Sequence, residues 1–432
     1  MNDAWKPSEL RYCCRVCAAE LPIATPLPWR CPRSTSFDRR HALAVVGSRS
    51  TTDADSDNPY LAFRERLTWD AFAEQLGVTV DDRVAAITTL DGVVGAVAGC
   101  GFRFTPFARH DALSEALGFS ETGGLWIKDE TNNVGGSHKA RHLVTTMLQL
   151  QLAETLRLAP WSGPNARPVL AIASCGNAAI AASIIAAAVG WPIEVFVPEW
   201  AGGTVVDTLT DLGAMIVRCA RLDGDPPGDP CVHAFRHAVA KGAIPFSVQG
   251  TENVTCLDGG RTIGWEIGRQ ARASGITLDR MFVQVGGGAL ASCLGATNPA
   301  RQFHPVQTEG CAPLGRAWTA AMNAEFDVHA AAWHWSELMW PWGSEPKSAA
   351  DGILDDETYD WLGVFEAMIA TGGWPVVASE IEVGAAYRLG RMATEVEVSA
   401  TGTAGLAGVL AVMEQIGPDE RVGVVFSGTE RA

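Results

Sequence analysis

Residues Leu125 to Arg141 read LWIKDETNNVGGSHKAR, and this stretch sets the fold class. Leu125, Trp126 and Ile127 form a short continuous apolar run, the pattern of a buried strand. A polar loop with Gly135 and Gly136 follows. From Ala140 onward Leu143, Val144, Met147, Leu148 and Leu150 recur at helical spacing, so the segment reads strand, loop, helix. Ser137 takes the N-cap position and Lys139 falls in the first helical turn. The positive end of a helix dipole disfavours an ammonium, and desolvation lowers its pKa further, which frees a neutral amine to attack an aldehyde. The plain alternative is a solvated surface lysine at a helix end. Lys139 is one of only five lysines, with Lys6, Lys128, Lys241 and Lys347.

At 432 residues, 47% hydrophobic and 19% charged, the chain is long enough for more than one core. A net charge of −16 with no Lys/Arg block argues against nucleic acid or an anionic membrane as partner. The start, MNDAWKPSELRYCC, has no basic segment followed by an apolar one, and no apolar run approaches the roughly 20 residues of a spanning helix. A cytoplasmic protein is the expectation. Eleven cysteines without a signal peptide read as reduced thiols. Cys14 and Cys17 have zinc-knuckle spacing, with Cys13 and Cys31 as further candidate ligands, but no second CxxC or HxxxH closes a tetrahedral site. No metal is expected on that pattern, a knuckle remnant being the reading.

Residues 1–58 form a Pro-, Ser-, Arg- and Cys-bearing arm ending in the polar piece SRSTTDADSDNP, and residues 59–120 carry helical patterns. After the Lys139 helix the chain alternates. Val169–Ala173, Pro192–Val197, Met215–Cys219, Ala243–Val248, Met281–Val285 and Val422–Phe426 read as strands. Ala178–Val189, Val205–Leu212, Cys231–Lys241 and Leu406–Met413 read as the helices among them. That alternation gives an α/β fold with parallel strands and helical crossovers.

Open parallel sheets bind ligands beyond the carboxyl ends of their strands. Four strand-to-loop junctions suit that role: GGSHK at Lys139, SCGN at Ser174 to Asn177, GGGAL at Gly286 to Leu290, and SGTER from Ser427. Three consecutive glycines can present bare backbone N–H groups to a phosphate, or form a flexible turn. No GK[ST] follows and GxGxxG is absent, so the phosphate need not belong to a nucleotide. Ser174, Cys175, Gly176 and Asn177 can hold a carboxylate at a helix start, or serve as an ordinary cap. Ser427 can donate to a ring nitrogen, or cap a turn.

In their order and as a set, GSHKAR, SCGNAA, VGGGALAS and FSGTER resemble the motifs of pyridoxal-phosphate enzymes of fold type II. FTPF at Phe104, DGGRTIGWEI at Asp258, VQTEGCAPL at Val306 and SATGTAGLAGVL at Ser399 extend the resemblance over residues 100 to 430. The Cys-bearing arm before NPYLAFRERL is similar to the start of threonine synthases, pointing to the threonine synthase and cysteate synthase branch.

The resemblance implies two open twisted parallel-sheet domains with pyridoxal 5'-phosphate in the cleft between them. Residues 59–135 and 246–432 would form the large cofactor-binding domain, and 136–245 a smaller mobile α/β domain. It implies Lys139 as the residue of the internal aldimine and the base at Cα, with Asn177 on the cofactor's phenolic oxygen. Gly286, Gly287, Gly288, Ala289 and Leu290 would cradle the phosphate, and Ser427 would face the pyridine nitrogen. Ser174, Cys175, Gly176 and Asn177 would hold the substrate.

The activity implied is β- or γ-elimination on a small L-amino acid, with or without replacement, by a homodimer. A β-replacement synthase, a serine/threonine dehydratase-type ammonia-lyase and a catalytically silent binding relative are the alternatives. His138 and Ala140 stand where threonine synthases carry Phe and Asp, and no basic cluster suits a phosphorylated homoserine. WHWSELMWPW, residues 333–342, reads as a subunit contact or a pocket wall.

Overall fold

The computed structural model describes residues 10–35, 38, 40–47, 49, 51–222 and 224–431. Its first strands are β1 (Arg11–Cys14), β2 (Glu20–Pro22), β3 (Leu43–Val46), β4 (Phe107–Arg109) and β5 (Gly124–Asp129). Then come β6 (Leu170–Ala173), β7 (Ile193–Pro198), β8 (Met215–Cys219) and β9 (Ile244–Pro245). The last are β10 (Leu278–Gln284), β11 (Ala300–Thr308), β12 (Val376–Ala378) and β13 (Arg421–Phe426). The chain divides into two compact units. One comprises Met1–Phe104, Lys139–Cys219 and Ala234–Thr262; the other comprises Thr105–His138, Ala220–His233 and Ile263–Ala432.

The first unit holds a parallel sheet in the order β8-β7-β6-β9 and a small antiparallel sheet, β2-β1-β3. The helix Asn177–Ala188 reads NAAIAASIIAAA and is buried from Ala178 to Ala186. With only Asn177 and Ser183 polar, the helix has almost no face to give to solvent, so it lies inside. Gly203–Asp211 is its opposite, with Leu209 alone fully buried. Thr79 accepts from the Asp82 N–H to start the helix Val80–Ala98, and Gly99 at φ 79° ends it.

The helix Lys139–Thr155 crosses the short helix Thr255–Gly260 at very close range. A Cβ at Gly259 would stand 2.0 Å from the carbonyl oxygen of Arg141, so only glycine fits that approach. Tyr60 Oη donates to the same oxygen at 2.8 Å. Asp258 accepts from the backbone N–H groups of Thr68 (2.9 Å) and Trp69 (3.1 Å), which pins the start of the helix Thr68–Gln75.

The second unit is built on a six-stranded sheet, β12-β11-β10-β13-β5-β4, parallel except for the β4–β5 pair. β5 is buried at every residue, GLWIKD, as a strand covered on both faces must be. Ile127, Phe282, Val306, Leu406, Val424 and Phe426 belong to its core.

The alternation read from sequence is present, with shifted ends. Ser137 lies in extended backbone, bridging Gly428, and the helix begins at Lys139. Ala243–Val248 contributes only the two-residue β9, at the edge of its sheet. The Cys-bearing arm, in which the sequence shows no strand pattern, holds the sheet β2-β1-β3. Of the Trp-rich segment, Trp335 is buried edge-to-face on Trp361, 5.5 Å between centroids, whereas Trp333 is 73% exposed. Among the described residues no helix is long and apolar enough to cross a membrane.

Candidate functional site

In the second unit β10, β13 and β5 are neighbours and parallel, so their carboxyl ends share one edge. Gly286 to Gly288 follow β10, Ser427 follows β13, and the loop to His138 follows β5. A Cβ at Gly286 would lie 2.3 Å from Asp355 Oδ2 and 2.9 Å from Ile353 Cα. Gly288 sits at φ 93°, where a Cβ would also meet Thr358 Cγ2 at 2.8 Å. The loop therefore packs backbone-first, with no room for side chains.

Ser427 Oγ accepts from Gln284 Nε2 at 2.6 Å, and the residue is 3% exposed. Gln284 Nε2 also faces the carbonyls of Gly402 at 3.0 Å and Val425 at 3.1 Å. With one lone pair of its oxygen engaged, the Ser427 hydroxyl keeps its proton for another acceptor. The Ser427 carbonyl takes the backbone N–H of His138 at 3.0 Å and faces His138 Nδ1, also at 3.0 Å. A carbonyl only accepts, so Nδ1 carries the hydrogen. Thr429 N–H donates to Gly136 O at 2.8 Å, and a Cβ on Gly136, at φ 69°, would meet Thr429 Cγ2 at 2.8 Å. The double glycine thus lets the β5 loop lie against the residues after β13, and Lys139 follows His138 by one peptide bond.

Behind this edge Lys128 is fully buried, its Nζ 2.5 Å from Glu266 and 2.8 Å from the Thr105 carbonyl. Glu266 also takes the Thr105 N–H at 3.1 Å, and Thr105 Oγ1 donates to Glu130 at 2.5 Å. Asn133 Nδ2 donates to the other Glu130 oxygen at 2.7 Å. The network anchors the polar loop that β5 feeds.

In the first unit Lys139 opens its helix half-buried, as the sequence placed it. One turn on, His142 is fully buried, its Nδ1 3.0 Å from the Cys256 carbonyl. Burial, and secondarily the positive charge of Lys139, pushes the imidazole down to about 3. Ser174, Cys175, Gly176 and Asn177 are half-exposed between buried β6 and the buried helix it feeds. Gly176 is the N-cap, without a side-chain cap bond, and its N–H donates to Ser174 Oγ at 3.3 Å.

So Gly286 to Leu290 and Ser427 share one sheet edge in the second unit, while Lys139 and Ser174 to Asn177 belong to the first. Sequence reasoning passed over Gln284, Lys128, Glu266 and His142. Their signals, a glutamine ending a buried strand and a lysine inside one, are visible only as polar residues out of pattern.

Residues 101–428 match the family described as pyridoxal-phosphate dependent enzyme. No curated protein matches the chain. Among solved structures, a threonine deaminase from T.th. aligns at TM-score 0.60 and 21% identity, over 80% of this chain and 98% of that one. Serine racemase from Dictyostelium discoideum aligns at 0.58 and 18%, over 80% and 98%. Diaminopropionate ammonia lyase from Escherichia coli aligns at 0.60 and 16%, over 80% and 89%. All three are similar in fold.

Proposed function

The chain belongs to the pyridoxal-phosphate dependent enzyme family, with an α/β fold of type II, and from that premise we propose a lyase that eliminates a leaving group from a small L-amino acid. The observation that carries this reading is the hydroxyl of Ser427, oriented by Gln284. When bound, the cofactor supplies an electron sink for the pair left at Cα. A neutral hydroxyl at its ring nitrogen does not enforce protonation there, which moderates that sink and favours departure of a β or γ substituent.

The chain's residues divide the remaining work. Gly286 to Leu290 would receive the phosphate on backbone N–H groups that carry no side chain at the three glycines. Asn177 would donate to the phenolic oxygen, and Ser174, Cys175 and Gly176 would bind the substrate carboxylate at the helix start that lacks a side-chain cap. Lys139 Nζ would hold the aldehyde carbon, then take the proton from Cα once the substrate amine displaces it. The Cβ–X bond breaks with its electron pair on X. Lys139 is suited to this because His142, beside it, is kept neutral and adds no second charge.

A threonine deaminase and ammonia lyases are among the similar structures, as are racemases and a synthase; elimination accords with the first two groups. A threonine synthase-like reaction is the finer alternative, favoured by the arm alone. Cytoplasmic residence and a homodimer complete the proposal. A spectral screen of the reconstituted protein against small amino acids, with oxo-acid and ammonia assayed in parallel, tests it. Serine, threonine or diaminopropionate giving both products is the expected result. Recovery of the D-enantiomer alone would replace elimination by racemisation.

A further inference from the structure

The arm read as metal-free brings four ligating side chains together. Cys14 ends β1, Cys17 lies in the turn to β2, Cys31 in the following loop, and His41 just before β3. Their ligand atoms all lie within 4.8 Å of one another, and three of the four residues are buried. Cys14 Sγ is 3.4 Å from His41 Nδ1, and Cys17 Sγ is 3.5 Å from Cys31 Sγ. A tetrahedral zinc with Zn–S of about 2.3 Å and Zn–N of about 2.0 Å places sulfurs roughly 3.8 Å apart and sulfur and nitrogen roughly 3.5 Å apart.

We propose that Cys14, Cys17, Cys31 and His41 bind one structural zinc ion. Three features beyond the ligand set point the same way. The backbone N–H of Arg33 donates to Cys31 Sγ at 3.4 Å. Such a donor spreads the negative charge of a metal-bound thiolate. Ala18 holds φ 53°, a left-handed conformation unusual for alanine, as the chain turns after the CxxC. Asp38 Oδ2 lies 3.8 Å from His41 Nε2, the ring nitrogen away from the sulfurs, on the side where a ligating histidine turns its N–H toward a carboxylate.

Four protein ligands leave no open position, so the ion is structural and performs no chemistry. Its work is to tie strands of three and four residues that are too short to hold a sheet by themselves. The loop it closes is bonded to the rest of its unit. Val254 N–H donates to the Trp29 carbonyl at 3.1 Å, and Gln149, on the Lys139 helix, donates to that of Pro26 at 2.8 Å.

Metal analysis of the untagged full chain, purified without chelator, should give one zinc per chain. Asp38→Asn should weaken zinc roughly tenfold in chelator competition, and His41→Ala by more. Cys13→Ser should retain it, because Cys13 lies outside the set. Should His41→Ala fail to fold, the wild-type chain loaded with cobalt(II) alone gives an independent reading. Intense visible bands with thiolate-to-metal charge transfer mark tetrahedral sulfur coordination. A chain that carries no metal, is indifferent to zinc and shows no such bands overturns the proposal. So does a Cys17–Cys31 disulfide in freshly purified protein, seen as a loss of two hydrogens by mass.

Discussion

Gln284 Nε2 and Ser427 Oγ stand 2.6 Å apart, one closing β10 and the other just beyond its neighbour β13. The pair fixes the direction of the serine hydroxyl and joins the loops after two adjacent strands. Gln284→Met should cost about 1–3 kcal/mol, because the carbonyls of Gly402 and Val425 lose a buried donor. Ser427→Ala should leave stability within about 1 kcal/mol while weakening cofactor retention during dialysis. Urea melts and cofactor titrations separate the two effects. Equal loss of stability in both variants would mean that the pair is structural only.

Lys139→Ala should abolish the visible absorption band that appears when cofactor is added, and with it all product formation. The fold should persist, since the side chain is half-exposed at a helix start. Far-ultraviolet circular dichroism alongside the absorption spectrum checks both halves. A yellow, active Lys139→Ala protein would remove the residue from its proposed role.

Gly286→Ala tests the glycine loop without touching a polar group. The new methyl would meet Asp355 Oδ2 at 2.3 Å and Ile353 Cα at 2.9 Å, so loop or wall must shift. A loss of about 1–3 kcal/mol in stability is expected, with cofactor affinity reduced at least about tenfold. Unchanged affinity would place the phosphate elsewhere.

Breaking the Lys128–Glu266 pair should be severe, because each partner is fully buried. Lys128→Met leaves the buried Glu266 carboxylate without its counter-charge and should cost about 3–5 kcal/mol. Lys128→Met with Glu266→Gln should recover part of that loss, since the isolated charge is gone. A double-mutant cycle by denaturant unfolding measures the coupling, and simple additivity would contradict it.

Acid should weaken the fold before most carboxylates titrate. Burial holds His142 down at about 3 and His304 at about 4, both from 6.5. The folded chain therefore binds fewer protons than the unfolded one, so stability is full above about pH 6.5 and falls as pH drops below it. Each histidine should contribute about 1.4 kcal/mol per pH unit between roughly pH 6 and 5. Unfolding free energies across that range should show a slope one proton smaller in His142→Leu. An unaltered slope would mean that His142 is not buried and neutral.

The sequence by itself determined the local elements and where their junctions fall. The apolar run Val169–Ala173 between turn signals reads as a strand, and the alanine-rich Ala178–Val189, stopped by Gly190, as a helix; both follow from neighbours along the chain. Lys139, Gly286 to Gly288 and Ser427 were legible because each sits at such a junction. Tertiary structure decided the rest, since those partners are remote in sequence. Glu266 lies 138 residues from the lysine it neutralises, and Gln284 lies 143 from Ser427. That Gly259 must be glycine is decided by Arg141, 118 residues away, whose carbonyl oxygen would stand 2.0 Å from a Cβ there. His41 has no ligand spacing of its own, and only the pairing of β1 with β3 carries it to the cysteines. Periodicity records which face of an element is buried; which polar groups meet there depends on how elements stack, which no local pattern carries.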